Sequence, residues 1–309
     1  NSQDLELQAV QRRQAGDFAD AAELFAAAAD VAEPLQRRLH LQIRQACCLW
    51  SVERSEEAAQ LAGDVAQRAR SEGVLPELAD ALGLIVDHYS RVGRLAEGAV
   101  VLSQALEVLE QLPKDPSSYQ VVHNLAATLE HSGFYLPAID LFRTALELAG
   151  TDEERMFTRG SMASPHHHAA ARATDPAEKQ RILEEGLSFA TPEVARECDE
   201  LMTASSVLAN RAMLLAHIGD YAEALVAAGD AYRLAVQHGL HEDELFAVAA
   251  EAISTWRLYG DPNVLGRVSK ALEQAERLHR MDELAILQDV EVEVLWSLGR
   301  VDDARAVLE

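Results

Sequence analysis

The sequence has few residues in arrangements that could perform chemistry, and the most suggestive is the histidine run His166-His167-His168. Histidine is the commonest metal ligand among side chains, so a run of three invites a metal site. Consecutive helical residues point about 100° apart, however, and three in a row cannot converge on one ion without further ligands. No His, Cys, Asp or Glu lies four residues before or after any of the three. We therefore predict no metal and no cofactor.

Catalytic motifs are also missing from the sequence. It contains no glycine-rich phosphate loop, no G-x-S-x-G elbow and no H-E-x-x-H zinc motif. Of the three cysteines, Cys47 and Cys48 are adjacent and Cys198 is distant, which is no disulfide framework. A buried Cys behaves as a small apolar side chain. We predict a non-enzymatic protein of a reducing, cytoplasmic compartment.

Composition and charge narrow the class of partner. The 309 residues include 51 Asp and Glu against 27 Lys and Arg, a net charge of -24. So acidic a chain repels nucleic-acid phosphates and anionic lipids. No run of about 18 apolar residues could cross a bilayer. The expected partner is therefore a protein or peptide, with neither nucleic acid nor membrane involved.

One phrase recurs from end to end of the chain. It reads GDFADAAELFAAAA at Gly16 and GDYAEALVAAGDAY at Gly219, and related copies begin at Gly93, Gly133, Gly260 and Gly299. Gly93 and Gly133 are 40 residues apart, and Gly219 and Gly260 are 41 apart. Two further copies lack the glycine, so about eight units fill the chain.

Each unit is predicted to be a pair of helices. The glycine ends the first helix, where a positive φ is needed. A small residue follows five positions later, for example Ala138 or Gly98, and lets the second helix approach closely. Larger apolar groups such as Phe142 come four residues on, on the same helix face. Strand-like alternation is absent, so an all-α fold is expected.

These phrases resemble the tetratricopeptide repeat (TPR) family, in the long-unit form of bacterial regulatory proteins. The resemblance implies an all-α, right-handed superhelix of about eight helix pairs, with first helices on the concave side. We expect a single array over 1–309 with an incomplete last unit at 284–309. A degenerate unit near 155–195 carries Pro165, where a kink or break is expected.

The concave side is where ligand-binding residues are expected. Two positions before each glycine, successive units place Arg91, His131, Arg172 and His217, all basic or potentially basic in an acidic chain. The position three residues before the glycine adds Arg257, and Trp50, His123 and His168 are further candidates. One interpretation is a positive stripe that binds an acidic segment of a partner. The other is chance register, aided by favourable interaction of cations with helix C-termini.

Three functions follow from the resemblance and the residues. The first is a scaffold that binds a protein or peptide. The second is the sensor segment of a larger bacterial signalling protein, attached to a GGDEF-type cyclase or a transcription-activator domain. The third, a metal protein or enzyme, is the least favoured. Because the last unit is unfinished, we also expect self-association through it.

Overall fold

The computed structural model describes residues 1–14, 17–52, 54–197, 201–278 and 281–308. Within these ranges all regular secondary structure is helical and no strand occurs, so the all-α prediction is confirmed. Contacts divide the chain into two compact units, unit 1 (Asn1–Gly150) and unit 2 (Thr151–Glu309). The single array over 1–309 stays a prediction.

Unit 1 consists of four antiparallel helix pairs. In each pair the first helix contacts the second, and in the first two pairs the second helix also contacts the first helix of the next pair. The first helix α5 (Leu75–Arg91) also packs against the first helices α3 (Leu35–Ser51) and α7 (Tyr119–His131), so these three form a layer. The helices are α1 (Ser2–Gln14), α2 (Phe18–Asp30), α3 (Leu35–Ser51), α4 (Ser55–Glu72), α5 (Leu75–Arg91), α6 (Leu95–Glu110), α7 (Tyr119–His131) and α8 (Tyr135–Leu148).

Unit 2 begins with four short helices and continues with three helix pairs. The short helices coincide with the degenerate stretch of the sequence. They are α9 (Asp152–Ser161), α10 (Ala163–Arg172), α11 (Pro176–Phe189) and α12 (Pro192–Glu197). The pairs are α13 (Leu201–Ile218) with α14 (Tyr221–His238), α15 (His241–Tyr259) with α16 (Val264–Arg277), and α17 (Met281–Ser297) with α18 (Val301–Leu308).

The repeated glycines end first helices as the sequence predicts. Gly93 and Gly133 have φ of 73° and 80°, in the left-handed region that L side chains rarely adopt. In each case the following N–H bonds back to the first helix: Arg94 donates to the carbonyl of Tyr89 at 2.8 Å. This closes the helix end and starts the second helix in a fixed direction. Gly16, where the first copy begins, lies outside the described residues.

Small side chains hold the paired helices close together. Ala138 is fully buried, and four residues later Phe142 fills the core beside it. At Gly98, where most other copies have Ala, a Cβ would lie 3.4 Å from the Cβ of Tyr89. The close approach of α6 to α5 therefore depends on a residue no larger than Gly or Ala.

The predicted break near Pro165 occurs just before it. The helix α9 ends at Ser161, Met162 separates the helices, and Pro165 lies in the first turn of α10. A proline costs little there, because the first-turn N–H groups have no partner within the helix.

At the other end of unit 2, α18 has eight residues, and Leu308 is 69% exposed. No helix among the described residues is both long and apolar enough to span a membrane.

Candidate functional site

The sequence-predicted residues fall into both units. Arg91, His131, Trp50 and His123 belong to unit 1, whereas Arg172, His217, Arg257 and His168 belong to unit 2. A continuous stripe across all of them therefore stays a prediction. Each unit has its own cluster of polar side chains on its first helices.

In unit 1, Arg91 lies at the end of α5 and is already engaged by its neighbours. Its Nε donates to the Asp87 carboxylate at 3.1 Å, and its guanidinium carbon lies 5.4 Å from the ring centre of Trp50. Asp87 is buried and also accepts a bond from the Ser132 hydroxyl. The Arg91 side chain remains 54% exposed. It thus offers a partly neutralised cation next to an aromatic face.

A second polar group lies nearer the middle of the same layer. Gln120 donates to the Asn124 side-chain carbonyl at 2.8 Å, and Asn124 bonds to the half-buried Asp80 on α5. Burial, together with the nearby Glu77, raises the pKa of Asp80 to about 7, and the Asn124 bond opposes the shift. The layer therefore carries amide and carboxyl groups able to bond to a main chain. We name Trp50, Asp80, Arg91, Asn124 and His131 the unit 1 face.

Two histidines of unit 1 occupy different surroundings. His131 is exposed at the end of α7, where its Nδ1 lies 2.6 Å from the Ala127 carbonyl oxygen. His123 is only 4% exposed, and its ring meets Phe142 on α8 edge-on at 5.2 Å. Burial lowers the pKa of His123 to about 4. The expected groove position of His123 is wrong, because this residue faces the second helix.

Unit 2 brings the histidine run together with a residue distant in sequence. His167 is 1% exposed, and its ring stacks on His217 of α13 at 5.3 Å and 29°. The His168 ring lies 4.8 Å from that of His167, and Phe246 on α15 contacts both edge-on. We name His167, His168 and His217 the histidine cluster. His166 and His167 of the run are both buried.

Hydrogen bonding and charge set this cluster apart. Neither ring nitrogen of the buried His167 has a hydrogen-bond partner among the described residues. His217 is exposed, yet desolvation by the surrounding protein lowers its pKa to about 4, and Lys179 on α11 and His168 add to the shift. Arg172 is exposed one helical turn after His168. Lys179 therefore places positive charge near His217, whereas burial lowers the pKa of His167 well below its ordinary value and keeps that ring neutral.

The remaining candidates lie near the end of the chain. The Nε atom of Arg257, at the end of α15, lies 2.7 Å from the Glu293 carboxylate on α17. The charge of Arg257 is therefore partly neutralised, like that of Arg91. Trp296 is 62% exposed, and Leu258 and Tyr259 are exposed as well. Cys48 is buried, as expected for an apolar role, whereas Cys198 lies outside the described residues.

Sequence reasoning missed several residues of these sites. Asn124 lies nine positions before the repeat glycine Gly133 and seven residues before His131. Seven residues make about two helical turns, so the two side chains share one helix face. This spacing could therefore have been recognised in the sequence. Asp80 and Lys179 gave no comparable signal, since Lys179 lies in the degenerate stretch where the repeat register is lost.

Metal binding finds no support in this geometry. Among the described residues no group of three or more His, Cys, Asp or Glu side chains is arranged to hold an ion. The rings of His167 and His217 stack, which leaves their nitrogen lone pairs in nearly parallel planes rather than directed at one point.

The comparisons with known proteins identify the fold. No protein-family model and no curated protein matches the sequence. Among solved structures, a Rap protein complexed with Competence and Sporulation Factor matches 99% of this chain and 95% of that one, at 12% identity and TM-score 0.56. TPR-like repeats of a Podosopora anserina kinesin light chain match 60% of this chain and 93% of theirs, at 18% identity and TM-score 0.40. The match to the Rap structure identifies the fold as an all-α helical repeat, of the TPR type that the repeated sequence phrases indicate.

Proposed function

We propose that this chain is a peptide-binding repeat module, with the first helices of its units as the binding surface. The observation that carries the proposal is the row of half-buried or exposed polar and aromatic side chains across α3, α5 and α7. Elsewhere neighbouring helices pack through Ala, Leu and Val, and a purely structural layer would have no need of polar groups. The Rap structure of similar fold contains Competence and Sporulation Factor.

The chemistry of the unit 1 face suits an extended peptide. The Asn124 amide and the Asp80 carboxyl supply the donor and acceptor groups that a main chain requires. Trp50 offers an apolar ring, and Arg91 with His131 offers partial positive charge at the helix ends. An acidic side chain of the peptide would lie at that end, as the sequence analysis expects.

A peptide library displayed on phage and selected against the purified chain tests this proposal. The affinity of a selected peptide is then measured by calorimetry for Arg91→Ala and His131→Ala, two exposed positions where the fold should be preserved. Gln104→Ala, an exposed residue on the second helix α6, is the matched control. We expect weaker binding for the two first-helix variants and unchanged binding for the control. Equal affinities for all three would overturn the assigned surface.

The finer part of the proposal concerns context. We propose that the module is the cytoplasmic, non-catalytic regulatory segment of a larger bacterial signalling protein, attached to a GGDEF-type cyclase or a transcription-activator domain. It would bind its peptide and change the activity of that domain. The sequence of the full-length gene tests this directly, and a gene that encodes only repeats would refute it.

A further inference from the structure

We propose that His167 and His217 form an acid-sensitive contact, which holds α10 against α13 while both imidazoles are neutral and opens when they take up protons. The inference goes beyond peptide binding, because it concerns the movement of one helix of unit 2 and needs no ligand. Three observations carry it: the packing of the rings, the charges around them, and the short length of α10.

The rings are packed as uncharged groups. His167 is 1% exposed, and its imidazole stacks on that of His217 at 5.3 Å and 29°. The Phe246 ring on α15 meets it edge-on at 5.8 Å, and the His168 ring lies 4.8 Å away. Neither nitrogen of His167 has a hydrogen-bond partner among the described residues. Burying a neutral polar group in this way costs free energy, and burying a charged one without a partner costs far more.

The charged and titratable groups around the two rings increase that cost. His168 on α10 and His217 on α13 act on His167, and Lys179 on α11 acts on His217 together with His168. All of these groups carry or gain positive charge, and Phe246, which faces the cluster from α15, has no charge. Among the described residues no carboxylate of any packed helix contributes to the pKa shift of either ring. Proton uptake in the closed state therefore lacks electrostatic compensation.

The adjacent His166 provides the contrast. Its Nε2 atom lies 3.8 Å from the Glu185 carboxylate on α11, and its Nδ1 atom lies 2.6 Å from the Met162 carbonyl oxygen. A proton on His166 would therefore lie near a negative charge. Acid sensitivity is thus assigned to His167 and His217 rather than to the whole histidine run.

The helix α10 is short enough to open by itself. It has 10 residues, Met162 separates it from α9, and residues 173–175 after it are not helical. Its neighbours in space are α9, α11 and α13. A helix of this length has little stability of its own, so its position depends on packing against these neighbours. Loss of the contact with α13 would release α10 locally, without unfolding of the whole unit.

Linkage gives the direction and the size of the effect. In the closed state burial lowers the pKa of His167 well below the ordinary value of about 6.5, which the ring regains when α10 opens. The contribution of His167 to the closed state is therefore complete above pH 6.5 and is lost as the pH falls. Between pH 7 and pH 5 the opening equilibrium should shift about 20-fold for this ring. His217 adds less, because it is exposed.

Hydrogen exchange of the full chain, read by mass spectrometry and corrected for the intrinsic pH dependence of amide exchange, measures this opening. We expect the protection of residues 163–172 to fall about 20-fold or more between pH 7 and pH 5. Residues 221–238 should keep their protection, because they form α14, which stays packed on α13 and α15. An equal loss in both segments would indicate global unfolding, and unchanged protection of α10 would show that the contact ignores acid. Either result would overturn the proposal.

Variants assign the effect to the buried ring. His167→Leu replaces the imidazole by an apolar side chain of similar volume and should remove most of the pH dependence at residues 163–172. His167→Phe, which keeps an aromatic ring in the stack, should do the same and is the second variant if circular dichroism at pH 7 shows that leucine disrupts the fold. The matched control is His238→Gln, which removes an exposed histidine from α14 and should respond to pH like the wild type. A folded His167 variant that still loses protection at pH 5 would refute the assignment.

Discussion

His123 should make unit 1 sensitive to acid, and the effect can be worked out from its surroundings. The residue is 4% exposed, and its ring packs against Phe142. Burial lowers the pKa of His123 to about 4 in the folded protein, whereas a histidine in the unfolded chain has a pKa of about 6.5. Below pH 6.5 the unfolded state therefore binds a proton that the folded state excludes. The contribution of His123 to the free energy of unfolding is complete above pH 6.5 and is lost as the pH falls toward 4. Linkage gives a loss of about 2 kcal/mol at pH 5.

The variant His123→Leu isolates this contribution, because leucine has a similar volume and does not titrate. Urea unfolding followed by circular dichroism gives the free energy of unfolding of both proteins at pH 7.5 and pH 5. The wild type should lose about 2 kcal/mol more than the variant over this interval. Other histidines titrate in both proteins and cancel in the difference. Parallel pH profiles, within about 0.5 kcal/mol, would refute the assignment of a buried neutral imidazole.

Four further predictions concern packing, stability and self-association. Gly186→Ala should destabilise unit 2 by about 1–3 kcal/mol, because the new Cβ would lie 2.7 Å from the Cβ of His166. Gly63→Ala on α4, where a Cβ meets nothing within 4 Å, should instead stabilise the protein by up to about 1 kcal/mol. Changes of the opposite sign in the free energy of urea unfolding would contradict these two predictions. Residues 155–175 should exchange amide hydrogens early in mass spectrometry, because the helix is interrupted there, and uniform protection would count against this. Leu308→Glu should reduce self-association in sedimentation, whereas a strict monomer in both proteins would argue against an interface at this end.

The repeated phrase made most of the local architecture predictable. Its glycines and small residues act through backbone geometry and close packing, and these depend on only a few neighbours in sequence. Gly133 and Ala138 accordingly have the expected φ and burial. The position two residues before the glycine places Arg91 and His131 at helix ends, where both are exposed, and their role in binding a ligand stays a prediction.

The rest required three-dimensional contacts. His123 differs from its neighbour Asn124 by one position, or about 100° around the helix, and that rotation decides between core and open face. The pairing of Arg91 with Asp87 follows an i, i+4 spacing visible in the sequence, but the contact of Arg91 with Trp50 on α3 does not. In the degenerate stretch the repeat register fails altogether, so the stacking of His167 on His217 had no sequence signal.

The contact between Arg91 and Trp50 has a practical consequence. Trp50 is the only tryptophan in unit 1, since the other two, Trp256 and Trp296, belong to unit 2. Indole emission responds to a charge held near the ring, and here the guanidinium carbon is 5.4 Å from the ring centre. A ligand that draws Arg91 away would change the emission. The unit 1 face thus contains its own optical reporter, and replacing Trp256 and Trp296 by phenylalanine would leave that signal readable in isolation.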